Sequence, residues 1–160
     1  MPRTRTLRID LRTDRELGLV AVLLVDGTPI LHDEGSFVPM SADEVLGTGA
    51  LLPVDPPRRV ALTECACGGG VGCANASVVI SERRGLIRWT EAAHAPEYSG
   101  AVPDPDLDLD EDEREAFRPR PLDIADVAFD AAQYRDEVDR ANDDERWRRR
   151  LQRRTGTRRI

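Results

Sequence analysis

The chain has 160 residues, of which 40% are hydrophobic and 33% charged, and its net charge is −7 at pH 7. That length suits one domain with a real core, and the longest apolar run, "LGLVAVLLV" (17–25), falls far short of the ~20 residues a spanning helix needs. An acidic body of this kind repels nucleic acid and anionic lipid over about a Debye length, ~10 Å at ordinary salt.

The charge is unevenly placed. All 23 basic residues are arginine, a compositional bias that argues against reading each one separately. The last fifteen residues, "RWRRRLQRRTGTRRI", hold eight arginines and no acid, and removing those eight charges leaves the rest of the chain at −15. The stretch "DPDLDLDEDERE" (104–115) holds eight acids and one arginine. Asp14 and Glu16 separate the first arginines from the apolar run and no small-x-small site follows, so a secretory signal is not expected. Three cysteines, an odd number, fit a reducing cytoplasm better than a disulfide scaffold.

In chain order, Leu7, Ile9 and Leu11 alternate with Arg8, Asp10 and Arg12, the period of a half-buried strand. The run 17–25 reads as a more central strand. It ends at Asp26-Gly27, a hairpin signal, with "TPIL" returning as a partner strand that Pro29 either confines to an edge or delays in its start. "SADEVLG" (41–47) predicts a short helix in which Ser41 and Glu44 form a capping box. "RRVALTEC" (58–65), "NASVVIS" (75–81) and "LIRW" (86–89) predict a three-stranded antiparallel meander, bent first through the cysteine loop and then at "ERRG". Residues 97–121 are proline-rich, acidic and poor in apolar anchors, which predicts an exposed excursion. "ADVAFD" reads as a short strand. "DAAQYRDEVDRA" (130–141) reads as a helix with Asp130 as N-cap, Gln133 completing a capping box, and Ala131, Tyr134, Val138 and Ala141 on one apolar face. In "DDERWRRRLQRR" the acids lead and the arginines trail, which suits a helix dipole.

These elements predict an α+β fold in which an antiparallel sheet of about 5–6 strands packs against a C-terminal helix through Tyr134, Val138 and Ala141. Residues 1–100 form the β-rich core with its helix at 41–47, and 101–121 an acidic linker or loop. Residues 122–145 form a strand and helix packed on the core, and 146–160 an arginine-rich tail.

All three cysteines fall in "ECACGGGVGC" (64–73), spaced C-x-C-x5-C. The plain reading is a glycine-rich bend between two strands with small soft thiols packed beneath it. Zinc is the alternative: Cys65, Cys67 and Cys73 supply three ligands, and His94, or else His32, would have to supply the fourth. A redox pair fits less well: Cys65 and Cys67 flank one residue, Cys67 with Cys73 closes more easily, and neither pair opens a helix. A phosphate loop is excluded by the missing Lys-Ser/Thr and by a strand, not a helix, on its far side. No hydrolytic motif is present and most carboxylates lie in solvated runs, so no enzyme is expected. Nucleic acid could be met through Arg146, Arg148, Arg149, Arg150, Arg153 and Arg154, but Trp147 is the one aromatic among them.

The segment Val60–Trp89, with "FDAAQY" at 129–134, resembles a motif of small bacterial proteins: C-x-C-G, G-C, then V/I-x-W and F-x-x-x-Q-Y. The matching positions are Cys65, Cys67, Gly68, Gly72, Cys73, Ile87, Trp89, Phe129, Gln133 and Tyr134. The resemblance implies a fold unit and brings no activity with it. The expectation drawn from the whole sequence is a cytoplasmic, non-enzymatic protein-binding protein, an adaptor, regulator or immunity-type partner. Its contact surfaces would be the sheet edge near Pro29 and the arginine tail. The alternative is a small zinc protein with its cysteine loop as the metal site, contacting nucleic acid through the tail.

Overall fold

The computed structural model describes residues 3–30, 37–65, 74–96, 101–102, 108–116 and 118–156. The predicted α+β class is what they show, with a larger sheet than expected. Nine strands form one antiparallel sheet, ordered β1-β2-β4-β5-β6-β7-β8, with β3 beside β2 and β9 beside β7. The strands are β1 (Leu7–Asp14), β2 (Gly18–Val25), β3 (Thr28–Pro29), β4 (Phe37–Ser41), β5 (Arg58–Cys65), β6 (Ala74–Arg83), β7 (Leu86–Pro96), β8 (Arg120–Pro121) and β9 (Val127–Asp130). The helices are α1 (Ala42–Val45), α2 (Glu111–Ala116), α3 (Ala131–Asn142) and α4 (Glu145–Gly156). β3 and β8 span two residues each, too few to show any hydrophobic period in the sequence. None of the described helices is long and apolar enough to cross a membrane.

The predicted turns form as their residue types require. Asp26 and Gly27 have φ of 51° and 82°, and Arg84 and Gly85 have φ of 53° and 75°. These consecutive positive values are the type I′ signature that matches the twist of the flanking strands. Leu24 pairs with Pro29, so the proline lies in the two-residue strand as anticipated.

The sheet also returns on itself. β9 pairs with β7 from Leu86↔Asp130 to Trp89↔Val127, and its other side reaches the chain just ahead of β1. There Arg5 makes a parallel bridge to Phe129, its N–H donating to the Ala128 carbonyl at 2.7 Å. Side chains from all around this curl meet in one core that includes Leu7, Ile9, Leu23, Met40, Leu62, Ile80 and Trp89. Helix α3 completes it with Ala131, Tyr134, Val138 and Ala141, the face its 3.6-residue spacing predicts. Trp89, Phe129 and Tyr134 pack at centroid distances of 4.9, 6.2 and 5.3 Å, mostly edge to face. The Trp89 indole N–H donates to the Tyr134 hydroxyl at 3.2 Å, and that hydroxyl donates to the Leu51 carbonyl at 2.8 Å.

Of the two predicted capping boxes, the one at Asp130 forms by half, and the one at Ser41 is replaced by a different N-cap bond. Asp130 accepts from the Gln133 amide at 3.0 Å, but the Gln133 side chain turns to β1 instead. Ser41 accepts from Asp43, not Glu44, and the Glu44 carboxylate accepts from the Ala101 amide at 3.4 Å. Tertiary partners have outbid the local ones in each case.

The acidic excursion is more structured than its composition suggests. Ala101 is buried and its carbonyl accepts from Ala61 at 2.9 Å, which tethers the start of the segment to β5. Asp110 and Glu113 cap α2 reciprocally at 2.8 and 3.0 Å, and α2 buries none of its residues.

Candidate functional site

The sequence singles out Cys65, Cys67, Cys73 and His94. Cys67 and Cys73 lie outside the described residues, as does His32. Cys65 closes β5, its backbone opposite Phe37 of β4. His94 lies on β7, between Ala76 of β6 and Arg120 of β8. Thr63 pairs with Ala76, and Ala76 with His94, so the backbone brings Cys65 and His94 to one end of the sheet two strands apart. Among the described residues, no group of three or more His, Cys, Asp or Glu side chains could hold a metal ion.

The arginine tail is where the described structure builds a site. Helix α4 begins with Glu145 and ends with Arg153 and Arg154, the charge order its dipole favours. Trp147 is its one buried residue, 2% exposed, and it fixes the helix against the core. The arginines around it are turned to the surface. Arg150 and Arg154 converge on Asp43, in the first turn of α1. Arg150 donates through Nε at 2.8 Å and also through Nη2, and Arg154 through Nη1 at 2.8 Å. The hydrogen bonds from Arg150, with the charges of Arg150 and Arg154, outweigh desolvation and hold the Asp43 carboxyl below its usual value. Arg146 grips Asp144 through Nε and Nη2, both at 3.1 Å, and lowers that carboxyl likewise. Arg149 pairs with Glu145 one turn back.

Between α4 and the β1–β2 hairpin lies a cleft of about 530 Å³ lined by Arg146, Arg149, Arg150, Arg153 and Arg154. Thr13 and Gly18 form part of its opposite wall. Gly18 has φ of +77°, and a Cβ there would stand 3.7 Å from Arg150 Nη1. The requirement for glycine is therefore the left-handed backbone more than the space. Asp43 balances two guanidinium groups with one carboxylate, so the cleft keeps a positive surplus. Its ion pairs are partly exposed, and such pairs exchange partners at little cost, about 0–1 kcal/mol each. The chemistry offered is recognition of anions, with forked donors suited to carboxylate or phosphate.

Sequence reading finds the arginines but not the cleft, because its two walls are more than a hundred residues apart. It also misses a second basic cleft of about 310 Å³ on the outer face of β7 and β9, lined by Arg3, Arg5, Arg88, Thr90 and Asp126. The β7–β9 pairing and the bridge from Arg5 to Phe129 bring those distant segments together, and no local pattern announces it.

Comparison with known protein families, curated proteins and solved structures finds no match to this chain.

Proposed function

We propose that this is a cytoplasmic, non-enzymatic protein-binding module that holds an acidic segment of its partner in the α4 cleft. The observation that carries the reading is the convergence of five arginines on one cleft of an otherwise acidic chain. Such a contrast favours charge-steered association with a short acidic segment, while the acidic body discourages a long polyanion. The burial of Trp147 argues the same way, since the one aromatic of the tail is unavailable for base stacking. The test is titration of a labelled Asp/Glu-rich peptide and a labelled single-stranded oligonucleotide of equal charge, each against the wild type and Arg149→Glu/Arg153→Glu. The peptide is expected to bind more tightly, and the double reversal to abolish that binding. Tighter oligonucleotide binding, or peptide binding indifferent to the reversal, would reject the reading.

A second reading, a zinc site on the cysteine loop, is supported by the shared sheet end of Cys65 and His94. It requires about one zinc per chain in protein purified without a metal-binding tag, and loss of thermal stability on chelation. Metal-free protein with an unchanged melting temperature would remove it.

A further inference from the structure

The second basic cleft shares no residue with the α4 cleft. Three neighbouring segments build it: β7, β9 and the residues just ahead of β1. Ile87 and Trp89 turn into the core, so Arg88 between them turns outward. Phe129 likewise turns in, and Ala128 beside it turns out. Arg88 pairs with Ala128 on one side of β9, and the Arg5 N–H donates to the Ala128 carbonyl on the other, at 2.7 Å. Ala128 is thus a small floor between two arginine walls, which stand two strand spacings, about 10 Å, apart at the backbone.

The cations of this cleft are mostly uncommitted. Arg3 and Arg88 form no ion pair among the described residues, and Arg5 gives Asp26 only its Nη1, at 2.8 Å, which orients the rest of its fork. Asp126 is the one acid of the lining. With Asp26 also set against Arg5, the three arginines keep one positive charge in surplus. Glu91 pairs with Arg59 and lines no part of the cleft. It sits in a bulge of β7, with φ of 53°, where Glu91 and Ala92 stand against Val78 alone. Bulges of this kind re-aim side chains beside functional sites. The neighbour on the cleft side is Thr90, whose hydroxyl has no other partner among the described residues.

We propose that this cleft binds the phosphoryl group of a phosphomonoester, independently of the acidic-segment reading of the α4 cleft. Its donors come from both sides of β9 and from Thr90. A carboxylate has two coplanar oxygens and is satisfied by a single guanidinium fork. A phosphoryl group presents three strong acceptor oxygens in different directions, so it can engage both walls and the hydroxyl at once. Arg88 serves it from β7, Arg3 and Arg5 from the opposite wall. A volume of about 310 Å³ lies at the small end of ligand pockets, which suits the phosphoryl group with a compact organic part. Asp126 opposes the anion and limits its affinity.

The experiment follows the backbone amides of the intact chain by NMR during titration with glycerol phosphate, a short phosphoserine peptide and acetate at constant ionic strength. At least one phosphomonoester is expected to shift the amides of 88–90 and 126–128 saturably, with acetate about tenfold or more weaker. The affinity should be the same in Arg149→Glu/Arg153→Glu, which separates this site from the α4 cleft. Arg88→Gln is expected to weaken binding by about tenfold or more, and Asp126→Asn to tighten it severalfold. Both side chains are exposed, and an amide spectrum unchanged away from the cleft shows that each variant is folded. Should Arg88→Gln fail that check, Arg3→Gln takes its place with the same expectation. A tighter peptide means that a phosphorylated residue supplies the group, and tighter glycerol phosphate that a free metabolite does; either order upholds the site. Absence of saturable shifts with both phosphomonoesters, acetate binding as tightly, or an affinity unmoved by the folded arginine variant would overturn it.

Discussion

The Gln133 side chain holds both backbone groups of Leu7, accepting from its N–H at 3.2 Å and donating to its carbonyl at 2.9 Å. A primary amide has one acceptor and two donors in a plane, so it can stand in for a peptide unit on a neighbouring strand. Four and seven residues on, Glu137 and Arg140 do the same for Ile9, which puts the three side chains on one stripe of α3. Burial works to raise the Glu137 carboxyl, but hydrogen bonds from Arg140 and the Ile9 amide prevail and lower it. The helix thus shields a sheet edge that would otherwise invite pairing with other chains.

Gln133→Ala should therefore cost more than an ordinary half-buried helix residue. It leaves an N–H and a C=O of Leu7 without partners at a partly buried position, a loss of about 1–3 kcal/mol. Urea unfolding monitored at Trp89 and Trp147 measures it. A midpoint within error of wild type would mean that water replaces the amide freely and that the edge is not sealed there.

Much of the frame is legible in the sequence because it follows from periods that act locally. The alternation of Leu7, Ile9 and Leu11, the paired turns at Asp26-Gly27 and Arg84-Gly85, and the α3 face through Tyr134 and Val138 each arise within a few residues. What the sequence conceals is long-range and polar. Gln133 and Glu44 look like capping residues, and both serve distant backbone instead. The closure at Arg5 and Phe129, the grip of Asp43 on Arg150 and Arg154, and the cleft itself depend on segments far apart in the chain. No periodicity encodes such contacts.

Tyr134→Phe removes a hydroxyl that both accepts and donates in the core. Burial pushes this phenol far above its ordinary value of 10.0, so it remains the neutral donor to Leu51 at any physiological pH. The ring stays and no cavity opens, but the Trp89 N–H and the Leu51 carbonyl lose their shared partner. The expected cost is about 1–3 kcal/mol by chemical denaturation, with a changed near-ultraviolet dichroism from Trp89. An unchanged stability would show that neither group needs that hydroxyl.

Asp43 predicts an acid-sensitive link between α1 and α4. Its carboxyl is held below the ordinary 3.8, chiefly by hydrogen bonds from Arg150. A lowered folded-state value stabilises the fold above pH 3.8, and that contribution disappears as pH falls through the folded value. Asp14, Asp26, Glu82, Glu137 and Asp144 are lowered too, so the wild-type acid limb is a sum. The share of Asp43 is the difference from Asp43→Asn. The two curves of melting temperature against pH should be separated near pH 6 and converge as the pH falls through the lowered folded value. A separation independent of pH would assign the role of Asp43 to shape and not to charge.

Trp147 tests whether the arginine helix is a separable unit. It is the only buried residue of α4, whereas α3 buries four side chains and ties its polar stripe to β1. Truncating a buried tryptophan costs about 3–5 kcal/mol when the surrounding structure stays in place. With no second apolar anchor, α4 has a cheaper course, which is to leave the core. The ion pairs to Asp43 would not hold it, since partly exposed pairs are worth about 0–1 kcal/mol each. Trp147→Ala is therefore expected to expose the amides of 145–156 to rapid hydrogen exchange while those of 131–142 stay protected, and to abolish acidic-peptide binding. Exchange that accelerates together in both helices would show that α3 and α4 open as one unit, with the cleft built into the cooperative core and not docked upon it.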